Sequence, residues 1–289
     1  MESESLRIFV TTAAELSITQ AAARLGRAPS NVTTRIQQLE AELGAELFVR
    51  SGKRMTLSTA GEQFIGYAQR LLALGDEARQ VVSGGSQGGV LRIGSMESTA
   101  ASRLPAVLAA YHLRHPDTRL ELITGASRPL IEKVRSGALD CAFAALPQSD
   151  DESGVLADMG LQSLAVWTEE LQLLLPASEA DVDDVRQLRI RSLAAFPQGC
   201  TYRRLAEDWL GIAGNPAWKI QEMSSYHAMV ACVAAGACVT ILPQSVLALT
   251  SAPAQLRTLS LGRSRTRLVW RDGFDTPAFR QISAAAQTH

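Results

Sequence analysis

The stretch "PSNVTTRIQQLE", Pro29 to Glu40, decides the fold. Val32, Ile36 and Leu39 fall at i, i+4 and i+7, so one stripe of a helix is buried. At about 100° per residue, Ser30, Thr34 and Gln37 point the other way, flanked by Asn31, Thr33, Arg35 and Gln38. A solvated helix face commonly carries Glu/Lys pairs. This face carries hydroxyls, amides and one Arg, with no acid before Glu40. It suits a surface that is rich in hydrogen-bond partners and repels acids.

Upstream, Leu6, Phe9, Val10, Ala13 and Leu16 mark an amphipathic first helix. Ser17 can cap a second, "ITQAAARLG", whose small residues allow close packing and whose Gly26 is a natural stop. In the third helix Pro29 suits the first turn, where its missing N–H costs little, and Gly44 ends it. Two short helices joined by a tight connection, the second with an exposed polar face, form a helix-turn-helix pattern. "ELFVRSGKRMTLS" then reads as two extended pieces around a basic turn, a wing. Arg24, Arg27, Arg35, Arg50, Lys53 and Arg54 against Glu40, Glu42 and Glu46 leave this region net basic.

Downstream, Thr59-Ala-Gly-Glu62 has the form of a capping box for a helix reaching to Val82. Phe64, Leu71 and Ala78 repeat at seven, with Tyr67/Ala68, Leu74/Gly75 and Val81/Val82 between them. That stripe is expected to be a dimer seam; packing on its own domain is the plainer reading. "SGGSQGG" reads as a hinge. Beyond it, candidate strands at 90–95, 119–124, 139–145, 163–167, 171–176, 189–194, 218–223, 238–243 and 266–271 alternate with helices such as 101–115, 128–136, 201–210 and 225–236. This is an α/β region of about 200 residues.

The 289 residues are 46% hydrophobic and 20% charged, enough for a sizeable core, and the net charge of −1 by itself points to no nucleic acid. No run of 18 apolar residues and no signal-peptide layout occurs, so a cytoplasmic protein with no membrane partner is expected. Cys141, Cys200, Cys232 and Cys238 lack CxxC spacing, and His112, His115, His227 and His289 lack ligand spacing. "GSMES" has the outline of a GxSxG elbow but ends in Ser98, with no base and acid converging on it. The expectation is no metal, no cofactor and no enzyme; an enzyme, or a ligand-binding protein without DNA, stands as the remote alternative.

The whole layout resembles a LysR-type transcriptional regulator, most specifically over the first 61 residues. Ser17…Ala21-Ala22…Leu25, Ile36…Leu39-Glu40…Leu43-Gly44…Leu47-Phe48…Arg50 and Leu57-Ser58…Ala60-Gly61 match that family in order and spacing. The resemblance implies an α+β multidomain protein: a winged helix-turn-helix over 1–58, a linker/dimerisation helix over 59–82, a hinge over 83–89, and a two-lobed α/β effector domain over 90–289. The last would be like a type 2 periplasmic binding protein, lobe I at about 90–161 and 267–289, lobe II at about 162–266. It further implies double-stranded DNA and a small-molecule effector as partners, a homodimer through the linker helix, and a homotetramer built from it.

On this reading Pro29, Ser30, Asn31, Thr33 and Thr34 open a recognition helix, where hydroxyls and backbone amides reach phosphates. Asn31, Arg35 and Gln37 can read base edges. Arg50, Lys53 and Arg54 suit backbone or minor-groove contacts. Ser30 and Asn31 can equally cap the helix, and Arg50 can pair with Glu46. Many family members carry Gln or Ser where Pro29 stands and a longer side chain at Thr34, which leaves base preference open.

The family's effector site lies between the lobes. The matched positions are Ser95, Glu97, Ser98 and Thr99 after the first effector-domain strand, then Thr124 and Ser127, then Ala145. Cys200, Thr201 and Tyr202 follow in the loop Gln198 to Arg204, and then Met223 with the following "SSYH", which ends in His227. Helix starts there favour a carboxylate, while Glu97 suits an amine, so an effector bearing either is expected. "SMESTAASRLP", "CTYRR" and "SSYHAMVACVAAGA" also resemble a subgroup tied to putrescine and amine catabolism. Each hydroxyl has local capping as its plainer reading, and His227 and Tyr202 can simply pack. Cys200, beside Arg203 and Arg204 at a helix start, is in a setting that lowers a thiol pKa. A redox-sensing regulator is therefore an alternative, against the simpler role of a small residue lining the ligand site.

Overall fold

The computed structural model describes residues 1–51, 54–82, 89–146, 154–250 and 255–288. Two compact units emerge, one of Met1–Gly84 with Ser136–Ala138, the other of Gly85–Arg135 and Leu139–His289.

The first unit begins with α1 (Ser3–Glu15), α2 (Ile18–Leu25) and α3 (Pro29–Leu43). The Ser17 side chain accepts from Gln20 N at 3.3 Å and caps α2. Gly26 and Gly44 close α2 and α3 in the left-handed conformation. Val32, Ile36 and Leu39 are buried, joined by Leu6, Ile8, Phe9 and Ala22. The wing strands β1 (Phe48–Ser51) and β2 (Arg54–Leu57) pair antiparallel, with Phe48 opposite Leu57 and Ser51 opposite Arg54. Glu40 is the first acid of α3 for a structural reason. Its Oε1 accepts from Leu47 N at 2.7 Å and Phe48 N at 3.3 Å, fixing the chain as it enters the wing.

A 24-residue helix, α4 (Thr59–Val82), follows and is about 36 Å long. Its cap is Ser58, not Thr59: Ser58 Oγ accepts from Gly61 N at 3.0 Å. Gly61 lies against the wing, where a Cβ would sit 2.1 Å from the Leu47 carbonyl oxygen. The heptad reading needs a correction at Phe64. Phe64, Ile65, Ala68 and Leu72 pack into the core of their own unit, with Phe64 5.3 Å from the Phe9 ring. Tyr67, Leu71, Leu74 and Val81 form a separate stripe, 63%, 44%, 61% and 52% exposed.

The second unit opens with β3 (Val90–Ser95), α5 (Glu97–Ser102), α6 (Leu104–Arg114), β4 (Arg119–Thr124), α7 (Ser127–Arg135) and β5 (Cys141–Ala145). After α8 (Val155–Asp158) come β6 (Leu161–Leu175), β7 (Ser192–Ala195), α9 (Thr201–Trp209), β8 (Lys219–Glu222) and α10 (Tyr226–Ala234). Strand β9 (Val239–Pro243), α11 (Gln244–Leu247), β10 (Arg257–Arg271) and α12 (Pro277–Thr288) complete it. The helix expected over 101–115 is broken at Arg103, because Pro105 fits only the first turn of a new helix. Two strand expectations merge: 163–167 and 171–176 are one 15-residue strand, and 266–271 is the end of another. The hinge expectation over 83–88 lies outside the described residues.

These two long strands explain the two lobes. The sheet order is β4-β3-β5-β10-β6-β9-β7-β8. The end of β10 pairs with β5 from Thr266 to Trp270, while β6 pairs with β9 from Leu171 to Leu174. One lobe is therefore built on β4, β3 and β5, the other on β9, β7 and β8, and an antiparallel ribbon is shared between them. The crossover falls inside strands, and residues 161–167 run beside the part of β10 that meets β5. Each lobe buries helices on both faces of its sheet section, as parallel strands require.

Candidate functional site

On the first unit, the start of α3 offers an exposed surface. Pro29, Ser30, Asn31, Thr34 and Gln37 are exposed, and Thr33 and Arg35 half-buried. Ser30 and Asn31 do not cap the helix, contrary to the plainer expectation. Ala28 holds that position without a side-chain bond, because Pro29 sets the first turn. Thr33 and Thr34 donate to the carbonyls of Pro29 and Ser30 at 3.0 and 2.9 Å. Their hydroxyls thus retain lone pairs as acceptors. Arg35 meets Glu2 at 3.0 Å and Arg27 meets Glu4 at 2.7 Å, so the acidic N-terminus lies over two arginines of this face. Arg54 is exposed at the start of β2, Arg50 lies in β1 opposite Met55, and Lys53 is outside the described residues.

On the second unit, a cavity of about 350 Å³ opens between the lobes, at the C-terminal ends of β3, β4 and β7. That is where ligands bind in open α/β sheets. Of the expected residues, the cavity brings together Glu97, Ser98, Thr124, Ser127, Cys200 and Tyr202. Ser95 is fully buried beneath it and donates to the Met96 carbonyl at 3.0 Å. Thr99 is buried and absent from its lining.

Ala145 and Thr201 are joined by a hydrogen bond between the lobes instead. Thr201 Oγ1 donates to the Ala145 carbonyl at 2.7 Å, and Ser127 Oγ accepts from Ala145 N at 3.2 Å. Met223 departs from expectation: it packs with the core around Tyr226 and Met229, and its N–H extends the β7–β8 pairing to Ala195. His227 also departs, being exposed and outside the lining, because the turn of α10 that faces the cavity is set by Tyr226.

Sequence reasoning missed Phe196 as a lining residue, while Gln198 and Tyr226 lie in the loops it matched without being singled out. Phe196 and Tyr226 form an edge-on ring pair 4.9 Å apart. Their signal was positional: Phe196 directly follows β7, and Tyr226 begins α10 just after β8. Gly199 carries a φ of +92°, and a Cβ there would lie 3.2 Å from Pro129 Cδ, so this loop passes close to the opposite lobe. There Arg128 N donates to the Gly199 carbonyl at 3.3 Å.

Two buried hydroxyls on the cavity wall, Ser98 Oγ and Tyr202 Oη, lie close to one another without forming a hydrogen bond of good geometry. Buried polar atoms are otherwise nearly always paired. Burial raises the Tyr202 phenol well above its ordinary value, so it stays protonated and available as a donor.

The expectation for Cys200 is overturned in sign. Burial raises its thiol pKa, outweighing the backbone N–H groups and Arg203, which lower it. Arg203 is itself paired with Glu207 at 2.8 Å and with Glu222. Cys141, Cys200, Cys232 and Cys238 are all free thiols, Cys141 and Cys238 being buried.

No helix among the described residues is long and apolar enough to cross a membrane. Residues 3–62 match the family model described as bacterial regulatory helix-turn-helix protein, lysR family, and residues 84–289 match the LysR substrate binding domain. The chain is 36% identical over 286 residues to the uncharacterized HTH-type transcriptional regulator YusT of Bacillus subtilis, covering 97% of this chain and 93% of that one. Among solved structures, a full-length OxyR variant from Pseudomonas aeruginosa shares the fold with a TM-score of 0.72 at 24% identity, covering 100% and 94% of the two chains. Full-length CbnR complexed with its target DNA matches at 0.65 and 22%, covering 100% and 99%.

Proposed function

The chain belongs to the LysR family of DNA-binding transcriptional regulators, and on that premise we propose how its two sites work. The start of α3 enters a DNA major groove, with Asn31, Arg35 and Gln37 at base edges and Ser30, Thr33 and Thr34 near phosphates. Arg54, with Arg50 and Lys53, follows the backbone from the wing. The observation that carries this is the exposed face of a helix whose own outward residues before Glu40 include no acid and whose opposite stripe is buried.

The interlobe cavity binds the effector, a small molecule bearing a carboxylate or an amine. Its two buried hydroxyls, Ser98 and Tyr202, neither of them in a well-formed hydrogen bond, support a ligand there. Tyr67, Leu71, Leu74 and Val81 of α4 form the dimer seam, and dimers pair into a tetramer. The domain limits proposed are 1–58, 59–82, 83–89 and 90–289, and the protein acts in the cytoplasm, where its DNA lies. Effector binding then changes the spacing of the paired DNA-binding units. This counts as allostery only through two ligand-biased states.

A gel shift with the DNA upstream of the protein's own gene tests the reading. Specific retention that survives competitor DNA and weakens with salt is expected. Equal affinity for unrelated DNA of the same length would overturn it.

A further inference from the structure

The cavity's chemistry narrows the effector, on the premise that it is the effector site. Glu97 is the one charged side chain in its described lining. Its carboxylate has no ion pair or hydrogen bond among the described residues. The rest of the wall is apolar or carries neutral hydroxyls and an amide, with Phe196, Tyr202 and Tyr226 supplying rings. Arg128 and Arg204 belong to a separate hollow of about 420 Å³ behind Ser127 and Cys200.

A carboxylate in a half-enclosed, mostly apolar cleft repels anions and attracts cations, since low surrounding polarity strengthens both effects. Ring faces add attraction for an ammonium group. Glu97 also opens α5, where an acid complements the helix dipole, but that role does not require it to face the cavity. The Ser98 and Tyr202 hydroxyls, neither of them in a well-formed hydrogen bond, are both at least nine-tenths buried and offer a polar anchor beside the carboxylate.

We infer that the cavity selects a small ligand carrying a protonated amine, with Glu97 as its counter-ion, the aromatic wall around its apolar body and the Ser98 and Tyr202 hydroxyls completing its hydrogen bonds. A volume of about 350 Å³ fits a compact molecule rather than a long polyamine.

The test is calorimetry on the full chain with three matched probes: 2-phenylethylamine, 2-phenylethanol and phenylacetate. The amine is expected to bind at least tenfold more tightly than the alcohol, and phenylacetate least. Glu97→Gln should bring the amine down to the affinity of the alcohol and leave the alcohol unchanged. Glu97→Asp, which keeps the charge, should retain amine binding within a few-fold. Thermal melts confirm that both variants fold. Binding of phenylacetate alone overturns the amine assignment and leaves the effector cavity standing. An amine-to-alcohol ratio that survives Glu97→Gln overturns it, as does the failure of all three probes. The gel shift needs no effector, so it judges the regulator reading separately.

Discussion

Arg35 carries the sharpest question at the scale of single residues. In the free chain it meets Glu2 at 3.0 Å, yet Glu2 is largely exposed, and such pairs contribute only about 0–1 kcal/mol. The pair is therefore weak enough for DNA to displace. Arg35→Ala should cost about 1–3 kcal/mol of operator affinity, concentrated at one base position, if Arg35 reads a base. Anisotropy titrations over singly mutated operators measure this, and a uniform loss across sequences would make it a phosphate contact. Cys200 yields a prediction of opposite sign from its sequence context. A thiol whose pKa is raised by burial holds less thiolate at pH 7–8 than a free cysteine. Its iodoacetamide labelling, followed by mass spectrometry, should still be accelerating above pH 9, and peroxide should leave DNA affinity unchanged. A labelling plateau below pH 8 would restore the redox-sensing alternative.

At the scale of elements, α4 separates two faces that one apolar pattern had merged. Phe64, Ile65, Ala68 and Leu72 are occupied at home, whereas Leu74 is 61% exposed. Leu74→Glu should therefore leave the unfolding free energy of the chain within about 0.5 kcal/mol. It should weaken self-association at least tenfold by sedimentation velocity, and unchanged assembly would place the seam elsewhere. The helices of the first unit were readable because their signals are local: Ser17, Pro29, Gly26 and Gly44 each act within a turn. The long strands were not. Thr168, Glu169 and Glu170 interrupt the apolar run and read as a loop, yet they pair with Arg265, Ser264 and Arg263 of a strand far along the chain. The candidate site divides in the same way. Glu97, Ser98 and Tyr202 follow strand ends that local pattern locates, whereas His227 and Met223 were placed on the right loop but face away. One residue of helical phase separates Tyr226 from His227, and only packing sets that phase.

At the scale of the whole effector unit, the buried acid in that ribbon has a structural purpose. Glu169, 3% exposed, accepts from Arg103 Nε at 2.8 Å and from Ser245 Oγ at 2.7 Å. Ser245 lies 3.1 Å from Ser102, whose single hydroxyl proton goes either to Ser245 or to the Ser98 carbonyl at 2.7 Å. Ser102 and Arg103 follow β3 in one lobe, and Ser245 follows β9 in the other. The network thus ties the lobes together beside the ribbon, one turn of α5 from the cavity. Any effector that moves Ser98 pulls on this tie, which is one physical route from ligand to lobe geometry. Glu169→Ala removes a buried acceptor for a charged donor and a hydroxyl, so it should cost about 1.5–3 kcal/mol in urea unfolding. Amide exchange in the full chain should quicken along β6, β10 and α11 while α1 to α3 keep their protection. If exchange quickened only at Arg103 and the ribbon stayed protected, the network would be a local ion pair, and lobe geometry would rest on the shared strands alone.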